Sequence, residues 1–508
     1  MPGAAADGGA VGGTPVRGLP VPGSPAVGGA AGGVPVRGLP ADGAAAGGAP
    51  APGPRTDGAA VGGTPLRGLP ADGAAAGGAP APGVPTDGSA VGGTPLRGLL
   101  ADGGAPGGTP APGKPATARL ADVDALRGFA LFGILMVNIP FFASGYTLFD
   151  VADPARTAWH DHLATNVVQF LFESKFYLLF SFLFGYSFTL QLNSAAARGV
   201  SFRPRFLRRL GGLLLIGVAN AVLLFYGDIL VTYAFLGLLL FLVRGISPRR
   251  ALWVAGIITG AITLAFLALA VLVVLIDEAS ATATPAERLT MLADGHAATE
   301  AMRGGLGSVL GERVSSLPTA FPLIFFLQGP LAFSAFLVGL AAGKHRVLDH
   351  TAAADPDAYR RKLRLVQLIG FPVGLAGTFW YAAAGPEDFF APALHLVTAP
   401  CLTAAYVATL LRFFRTARGA RLAETLARPG RMALTNYLSQ SVLCGLVFTG
   451  VGLGLIGRMP YAAVIAVAVG IFAVQVVWSA WWMRRFRIGP VEWLLRALTH
   501  LERPALRG

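Results

Sequence analysis

The sequence is poor in charged residues and in cysteine. Only 13% of its 508 residues are charged, about half of the share expected in a water-soluble protein, whereas 54% are hydrophobic. This balance excludes an ordinary water-soluble enzyme and indicates a protein of the lipid bilayer. The two cysteines, Cys401 and Cys444, both lie within apolar segments, so neither a disulfide framework nor a thiolate metal site is indicated.

Residues 1–115 have no aromatic side chain, and they hold 33 of the 68 glycines and 20 of the 37 prolines. A segment of this composition cannot bury a core. Units resembling G-x-P-[VL]-R-G-L recur without an apolar face on which repeats could stack, so they do not predict a solenoid; their arginines are Arg17, Arg37, Arg67 and Arg97. We expect residues 1–118 to form a disordered Gly/Pro/Ala-rich tail, which is either a spacer, upstream sequence or a partner-binding segment.

The remaining chain alternates long apolar segments with short polar connectors. Ten segments are suited to cross about 30 Å of hydrocarbon: 123–143, 175–192, 207–226, 228–243, 251–276, 321–342, 364–384, 391–413, 433–456 and 460–482. The pattern predicts an all-α, polytopic membrane protein with about ten transmembrane helices within residues 119–500, followed by a short cytoplasmic end at 501–508. The short connector at Gly227 and Asp228 predicts a tight helical hairpin.

Lys and Arg accumulate in the connectors that follow the second, fourth, sixth and eighth segments. Because positively charged connectors stay in the cytoplasm, this alternation predicts that both chain termini face the cytoplasm of a bacterial plasma membrane. The formal net charge of +13 is then explained by membrane topology and by attraction to anionic lipid. The lipid bilayer is the expected partner, and nucleic acid is not needed to explain the charge.

Ionisable side chains in apolar segments are candidates for function, because each needs a partner or water to be tolerated there. Asp124 and Arg127 lie three residues apart on one helix face, where they can pair with each other or bind an anionic group such as a phosphate. Asn138 lies near the outer end of the same segment and is a candidate for helix packing or for ligand binding.

Glu173 and Lys175 lie where residues 163–173, interpreted as an outer interfacial piece, meet the second segment. This places both at the predicted outer boundary, where charge is easily tolerated. Being two residues apart, they are expected to have separate partners. Asp228 is interpreted either as a hairpin cap or as a ligand-binding residue at the same surface.

His160 and His162 flank Asp161 after the first segment, and His395 begins the eighth segment from the same side. Histidine can shuttle a proton near neutral pH, although an exposed loop histidine often has no catalytic role. The spacing of the pair does not predict a metal site, because a third ligand is not evident.

Three G-x-x-x-G pairs predict close helix contacts, namely Gly256 with Gly260, Gly339 with Gly343, and Gly450 with Gly454. The long connector 277–320 is expected to be either a lid or a surface helix.

Several motifs carry a resemblance to a known family. The run DALRGFALFGILMVNI at 124–139 resembles the opening motif of the YeiB-like family of bacterial membrane proteins of unknown function. The stretches ESKFYLLFSFLFG at 173–185 and YGDILVTY at 226–233 also fit this family. Two further stretches also fit this family, GRMALTNYLSQS at 430–441 and RRFRIGPVEW at 484–493. Both lie in a C-terminal motif region at about 364–500.

The resemblance extends, at a distance, to transmembrane acyltransferases, which move an acyl group from a cytoplasmic thioester to a sugar or lipid across the membrane. One branch of those enzymes has a histidine where this sequence has Asn138. Another branch has asparagine there and a working histidine in the following outer loop, the region of His160 and His162. The resemblance therefore implies acyl-coenzyme A as donor and a glycan or lipid as acceptor, without a bound cofactor or metal.

Two active roles and one passive role follow. In acyl transfer, Arg127 and the inner arginines, among them Arg431, would hold the donor's phosphates. His160 or His162 would take a proton from the acceptor hydroxyl, and Asn436 or Gln440 would orient that hydroxyl. In transport of a small polar solute, a pathway would be lined by Asp124, Arg127, Lys175 and Asp228. The third hypothesis is a non-catalytic scaffold or sensor.

Overall fold

The computed structural model describes residues 115–276, 284–349, 355–384, 388 and 390–506. The predicted disorder of the tail lies outside these residues, except that residues 115–118 begin the first helix. Regular structure in the described residues is entirely helical.

The first eight α-helices are α1 (Pro115–Ala143), α2 (Trp159–Leu171), α3 (Lys175–Ala197), α4 (Phe202–Leu223), α5 (Leu230–Leu242), α6 (Pro248–Ile276), α7 (Pro285–Arg303) and α8 (Leu306–Pro322). The others are α9 (Gly329–Lys344), α10 (Pro356–Ala383), α11 (Phe390–Phe413), α12 (Ala417–Arg431), α13 (Ala433–Phe448), α14 (Tyr461–Arg485) and α15 (Pro490–His500). A 3₁₀ turn, Gly145–Phe149, follows α1, and a π-helical turn, Leu323–Gln328, joins α8 to α9.

The predicted apolar segments correspond to helices. Eight helical stretches in the described chain are long and apolar enough to cross a membrane, and α5 and α13 are shorter apolar helices. The predicted ninth segment, 433–456, is too long, because α13 ends at Phe448. The apolar composition continues beyond it, but the glycine-rich chain turns there, with Gly454 and Gly457 in the left-handed region.

Two predicted connections are confirmed. Helices α4 and α5 form the expected hairpin through residues 224–229. The apolar stretch before α3 is a separate helix, α2, because the chain breaks at Ser174, which adopts a left-handed conformation with φ of 64°.

The connectors rich in Lys and Arg lie at one end of the bundle, here called the arginine end. The Lys344 ammonium after α9 donates to the carbonyl of Arg244 after α5, at 3.0 Å. Arg415, after α11, pairs with Asp122 near the start of α1. These contacts join connectors that are far apart in sequence.

The opposite end contains the other connectors. The Gly145 N–H donates to the Thr299 hydroxyl of α7 at 3.2 Å. The Arg303 guanidinium of α7 donates to the carbonyl of Ile456 between α13 and α14. The N–H of Tyr461, which begins α14, donates to Asp161 of α2 at 2.5 Å. The connector 277–320 is therefore partly helical, and its helix α7 packs on the 3₁₀ turn rather than standing apart as a surface helix.

Helix α1 is the most buried of the long apolar helices and α6 is the most exposed. The close contact predicted for Gly339 is confirmed, since a Cβ there would lie 2.1 Å from the Phe182 carbonyl of α3. The contact predicted for Gly256 and Gly260 is wrong within the described residues, where both face open space on α6. The spacing of small residues does not show which face of a helix has a neighbour.

Candidate functional site

The site begins with Arg127, on the second turn of the buried part of α1. Its guanidinium donates to Asp124 and to the Ser187 hydroxyl of α3, both at 2.5 Å. The predicted pairing of Asp124 with Arg127 is therefore present. Because the pair also reaches Ser187, it holds Arg127 between α1 and α3.

Arg431 reaches the same place through a close helix crossing. A Cβ on Gly430 of α12 would lie 1.8 Å from the Asp124 carbonyl, and a Cβ on Gly128 of α1 would lie 2.0 Å from the Leu426 carbonyl. Only glycine allows the two backbones to approach this closely. The crossing places Arg431 near Asp124, with which it interacts electrostatically.

A third cation, Arg209 of α4, lies within electrostatic range of Arg127 and of Glu492. Within the described part of the chain, neither Arg209 nor Arg431 forms a hydrogen bond or an ion pair. Arg209 is half-buried and Arg431 is exposed. The donors of both guanidinium groups are thus unused by the described chain, which is an arrangement suited to an oxyanion.

Arg127, Arg209 and Arg431 line one cavity of about 200 Å³, called the arginine cavity. Its other polar lining residues are Ser187, Gln191, Tyr233, Tyr437 and Glu492. Its apolar lining includes Ile134, Phe180, Leu183, Phe184, Phe188, Phe206, Leu213, Ile229, Leu230 and Leu495. The cavity therefore combines a cationic region with a larger apolar wall.

Helix α3 supplies much of this wall along one face. Its lining residues recur at positions i, i+3, i+4, i+7, i+8 and i+11, which is the pattern of one helix face: Phe180, Leu183, Phe184, Ser187, Phe188 and Gln191. Sequence reasoning missed Ser187 and Gln191 as site residues, and it included Arg209 only as one of the inner arginines expected to hold a donor. The sequence signal for Ser187 and Gln191 is that they continue the helix face formed by the α3 phenylalanines. This signal does not show which arginines of other helices face them.

Asp228 lies beneath the apolar part of the cavity and is 3% exposed. Its carboxylate accepts hydrogen bonds from the Asn220 amide at 2.7 Å, from the N–H groups of Leu230 and Val231, and from the Tyr437 hydroxyl at 3.3 Å. The cap predicted for the hairpin is therefore present. Its predicted surface location is wrong, because the connector folds back against Gly217 inside α4.

Glu492 of α15 caps the start of α13. Its carboxylate accepts hydrogen bonds from the N–H groups of Leu434 and Thr435, at 2.7 and 3.0 Å, and from the Thr435 hydroxyl. The positive end of the α13 dipole favours the carboxylate there. The two halves of the closing motif, GRMALTNYLSQS and RRFRIGPVEW, thus meet in space beside the arginines.

Asn436 and Gln440 belong to a polar network that joins α13 to α14. The Asn436 amide donates to the Ser479 hydroxyl at 3.0 Å, and the Gln440 amide donates to the Gln475 side chain at 3.0 Å. The Gln475 amide in turn donates to the Asn436 carbonyl. Both residues lie outside the arginine cavity, so their contacts are those of helix packing. Asn138 is half-buried on α1 and also lies outside the cavity.

Glu173 and Lys175 do not lie at an exposed boundary, since Lys175 is 1% exposed and Glu173 is half-buried. The expectation of separate partners is confirmed. Lys175 donates to the Gln169 carbonyl at 3.1 Å, and Glu173 accepts from the Tyr381 hydroxyl at 3.3 Å. The predicted exposure is wrong because α11 packs against α3, while Gln169 of α2 and Tyr381 of α10 bond to Lys175 and Glu173.

The paired histidines lie on α2, at the opposite end from the arginines. His160 is half-exposed and His162 is exposed. Neither lines the arginine cavity. Their neighbour Asp161 holds the start of α14, and Arg127 lies 16 residues before the end of α1, a distance of about 24 Å along the helix. The structure therefore does not bring together the predicted base and the predicted anion site.

These features define a multi-pass helical membrane protein with an arginine-lined cavity at one end of the bundle. Residues 348–502 match the family described as "Protein of unknown function (DUF418)". This match contains the predicted C-terminal motif region.

Full-length relatives extend the match. The uncharacterized protein YxaH of Bacillus subtilis (strain 168) is 32% identical over 403 residues, which cover 75% of this chain and 94% of YxaH. An uncharacterized 39.9 kDa protein in the amylase 3' region of Bacillus acidopullulyticus is 28% identical, with 75% and 94% covered. The uncharacterized protein YeiB of Escherichia coli (strain K12) is 27% identical, with 75% and 96% covered. The chain belongs to the YeiB-like family of unknown function, as its motifs predicted.

Proposed function

We propose that this membrane protein binds an amphipathic anion, with the anionic head group at Arg127, Arg209 and Arg431 and the apolar chain against the α3 face of the cavity. The observation that carries the proposal is the pair of guanidinium groups, Arg209 and Arg431, which have no hydrogen-bond partner among the described residues and line a cavity with a largely apolar wall. A phosphate or carboxylate would use their donors.

The size of the cavity limits what it holds. Its volume of about 200 Å³ is below the range of roughly 300–1,000 Å³ typical of pockets for drug-sized ligands. The cavity therefore suits a head group and the first part of a chain, with the rest of the ligand outside. With the arginine end in the cytoplasm, as the cation distribution predicts, the ligand would approach from that side or from the inner leaflet.

Binding of octyl phosphate tests the proposal. Protein in nanodiscs of neutral lipid is titrated calorimetrically with octyl phosphate, with octanol and with inorganic phosphate. Octyl phosphate should bind more tightly than either fragment, because only it uses both the cations and the apolar wall. Losing one charge-assisted hydrogen bond in Arg209→Gln or Arg431→Gln should weaken binding by roughly 10- to 100-fold.

Arg208→Gln is the matched control, since Arg208 is the exposed neighbour of Arg209 and does not line the cavity. It should retain wild-type affinity. If Arg208→Gln and Arg209→Gln lose the same affinity for octyl phosphate, the binding depends on the general surface charge, and the proposed site is contradicted.

Acyl transfer is a second candidate, favoured by the three cations that could hold the phosphates of acyl-coenzyme A. Its catalytic part has less support, because no histidine of the described residues lines the cavity. Purified protein mixed with acyl-coenzyme A and a glycan or lipid acceptor should release free thiol if the donor is consumed. Thiol release that persists in a His160→Ala, His162→Ala double variant would refute the role predicted for these histidines. If the wild-type protein releases no thiol, acyl transfer is refuted and the binding proposal is unaffected.

Transport of an amphipathic anion would use the same cavity and would appear as uptake into vesicles without thiol release.

A further inference from the structure

A second group of polar side chains lies at the opposite end of the bundle, away from the arginine cavity. Glu173, Lys175, Tyr381 and His395 form this group, called the histidine cluster. The Tyr381 ring stacks on the His395 imidazole with centroids 4.6 Å apart and an interplanar angle of 16°. The Tyr381 hydroxyl donates to Glu173 at 3.3 Å. Lys175 lies within electrostatic range of both Glu173 and His395.

His395 is 3% exposed, and neither of its ring nitrogens has a hydrogen-bond partner among the described residues. A neutral imidazole has one N–H donor and one acceptor nitrogen, so both of its polar functions are unused. Lys175 is 1% exposed and uses one of its three donors, on the Gln169 carbonyl. Buried polar groups are nearly always hydrogen-bonded, so these free donors and this acceptor indicate an occupant.

The charge of the cluster restricts the chemistry of that occupant. The carboxylate of Glu173 and the ammonium of Lys175 cancel, and Asp150 adds a further negative charge within electrostatic range of Glu173. An anion would be repelled by Glu173 and Asp150, and a cation would be repelled by Lys175. A neutral hydroxyl group is repelled by neither charge, and it can donate to the imidazole nitrogen and accept from the ammonium.

The cluster is separate from the arginine cavity. Lys175 precedes Phe180, the nearest cavity residue on α3, by five residues, which is about 7.5 Å along the helix. At the cavity, the Tyr233 hydroxyl bonds to the Ser181 hydroxyl at 2.6 Å and to the Tyr177 carbonyl at 3.3 Å, and Lys175 does not line it. On the other side, Glu173 and Tyr381 are half-buried, so part of the cluster is accessible to solvent.

We propose that the histidine cluster is a binding site for a neutral polyhydroxyl compound, one of whose hydroxyl groups bridges His395 and Lys175. Tyr381 holds the imidazole plane by stacking, and Glu173 offers an acceptor to a second hydroxyl. This site is independent of the anion site proposed above.

The test uses full-length protein labelled with ¹⁵N-histidine in a detergent that has no sugar groups. The imidazole resonances of His395 are assigned by their loss in His395→Gln and are followed during titration with myo-inositol and, separately, with sodium acetate. Myo-inositol should shift the His395 resonances to saturation. The resonances of His160 and His162, exposed at the same end, should not move and serve as internal controls.

Lys175→Met should weaken the myo-inositol effect at least tenfold, as expected for the loss of one hydrogen bond to a charged donor. The control His162→Gln should bind like the wild type. If Lys175→Met does not fold, the wild-type titration still decides the question. A shift with acetate at equal concentration would overturn the proposal in favour of an anion site, and no shift with either compound would overturn it in favour of buried water.

Discussion

At the scale of single residues, the structure separates charges that hold helices from charges that are available to a ligand. Glu492 and Asp228 each accept several hydrogen bonds at a helix start, so their carboxylates are occupied by the fold. Arg209 and Arg431 have no such partner in the described chain. The ability to bind an anion therefore depends on a few guanidinium groups rather than on the overall positive charge.

Removing the Glu492 cap should destabilise the start of α13. Glu492→Ala leaves the N–H groups of Leu434 and Thr435 without an acceptor, and the expected loss of stability is about 0.5–2 kcal/mol, as for other helix caps. The midpoint of thermal unfolding in detergent measures this loss. Glu502→Ala, at an exposed position, should leave the midpoint unchanged; equal midpoints for the two variants would show that the cap contributes nothing.

At the scale of elements, the cavity depends on how closely α1 and α12 approach. Gly128 and Gly430 allow the crossing that brings Arg127 and Arg431 to one place. At the exposed Gly256 and Gly260 of α6, an added Cβ would meet no atom of the described chain within 4 Å. The same residue therefore has different roles on a central helix and on a peripheral one.

A pair of glycine substitutions distinguishes these roles. Gly430→Ala places a methyl group against the Asp124 backbone and should destabilise the protein by about 1–3 kcal/mol, as overpacking does. Gly256→Ala meets open space and should be neutral or stabilising by about 0.5–1 kcal/mol, because alanine favours the helix. Thermal unfolding of both variants checks this, and a destabilised Gly256→Ala would indicate a neighbour on α6.

At the scale of the whole molecule, the two ends of the bundle differ in charge and in the kind of ligand that each suits. The arginine end has cations at the mouth of a largely apolar cavity. The opposite end has the histidine cluster, in which Lys175 bonds to Gln169 of α2 and Glu173 bonds to Tyr381 of α10. The proposed orientation assigns these two ends to the cytoplasm and to the outside.

Cysteine labelling measures that orientation. In a background of Cys401→Ser and Cys444→Ala, a single cysteine is introduced at an exposed position of either end, as His162→Cys or as Arg421→Cys. A membrane-impermeant maleimide should label His162→Cys in intact spheroplasts and Arg421→Cys only after the membrane is disrupted. The reverse pattern would invert the proposed topology.

Much of the architecture could be predicted from the sequence, because the signals are local. A run of apolar residues long enough for the bilayer predicts a helix wherever it lies, and the three-residue spacing of Asp124 and Arg127 predicts their pairing. The family resemblance depended on four short motifs and needed no tertiary information. Helix ends at glycine-rich turns were less certain, since an apolar run such as 433–456 does not show where the chain turns.

Only the tertiary structure decided which residues share a site. Arg209 and Glu492 lie 283 positions apart, and helix packing alone brings both to the cavity that Arg127 lines. Packing also separates His160 and His162 from the arginines, and it buries Lys175 and His395 together. The physical reason is that hydrophobicity and charge act along each segment, whereas the face of a helix that meets a neighbour depends on side chains and glycines contributed by distant segments.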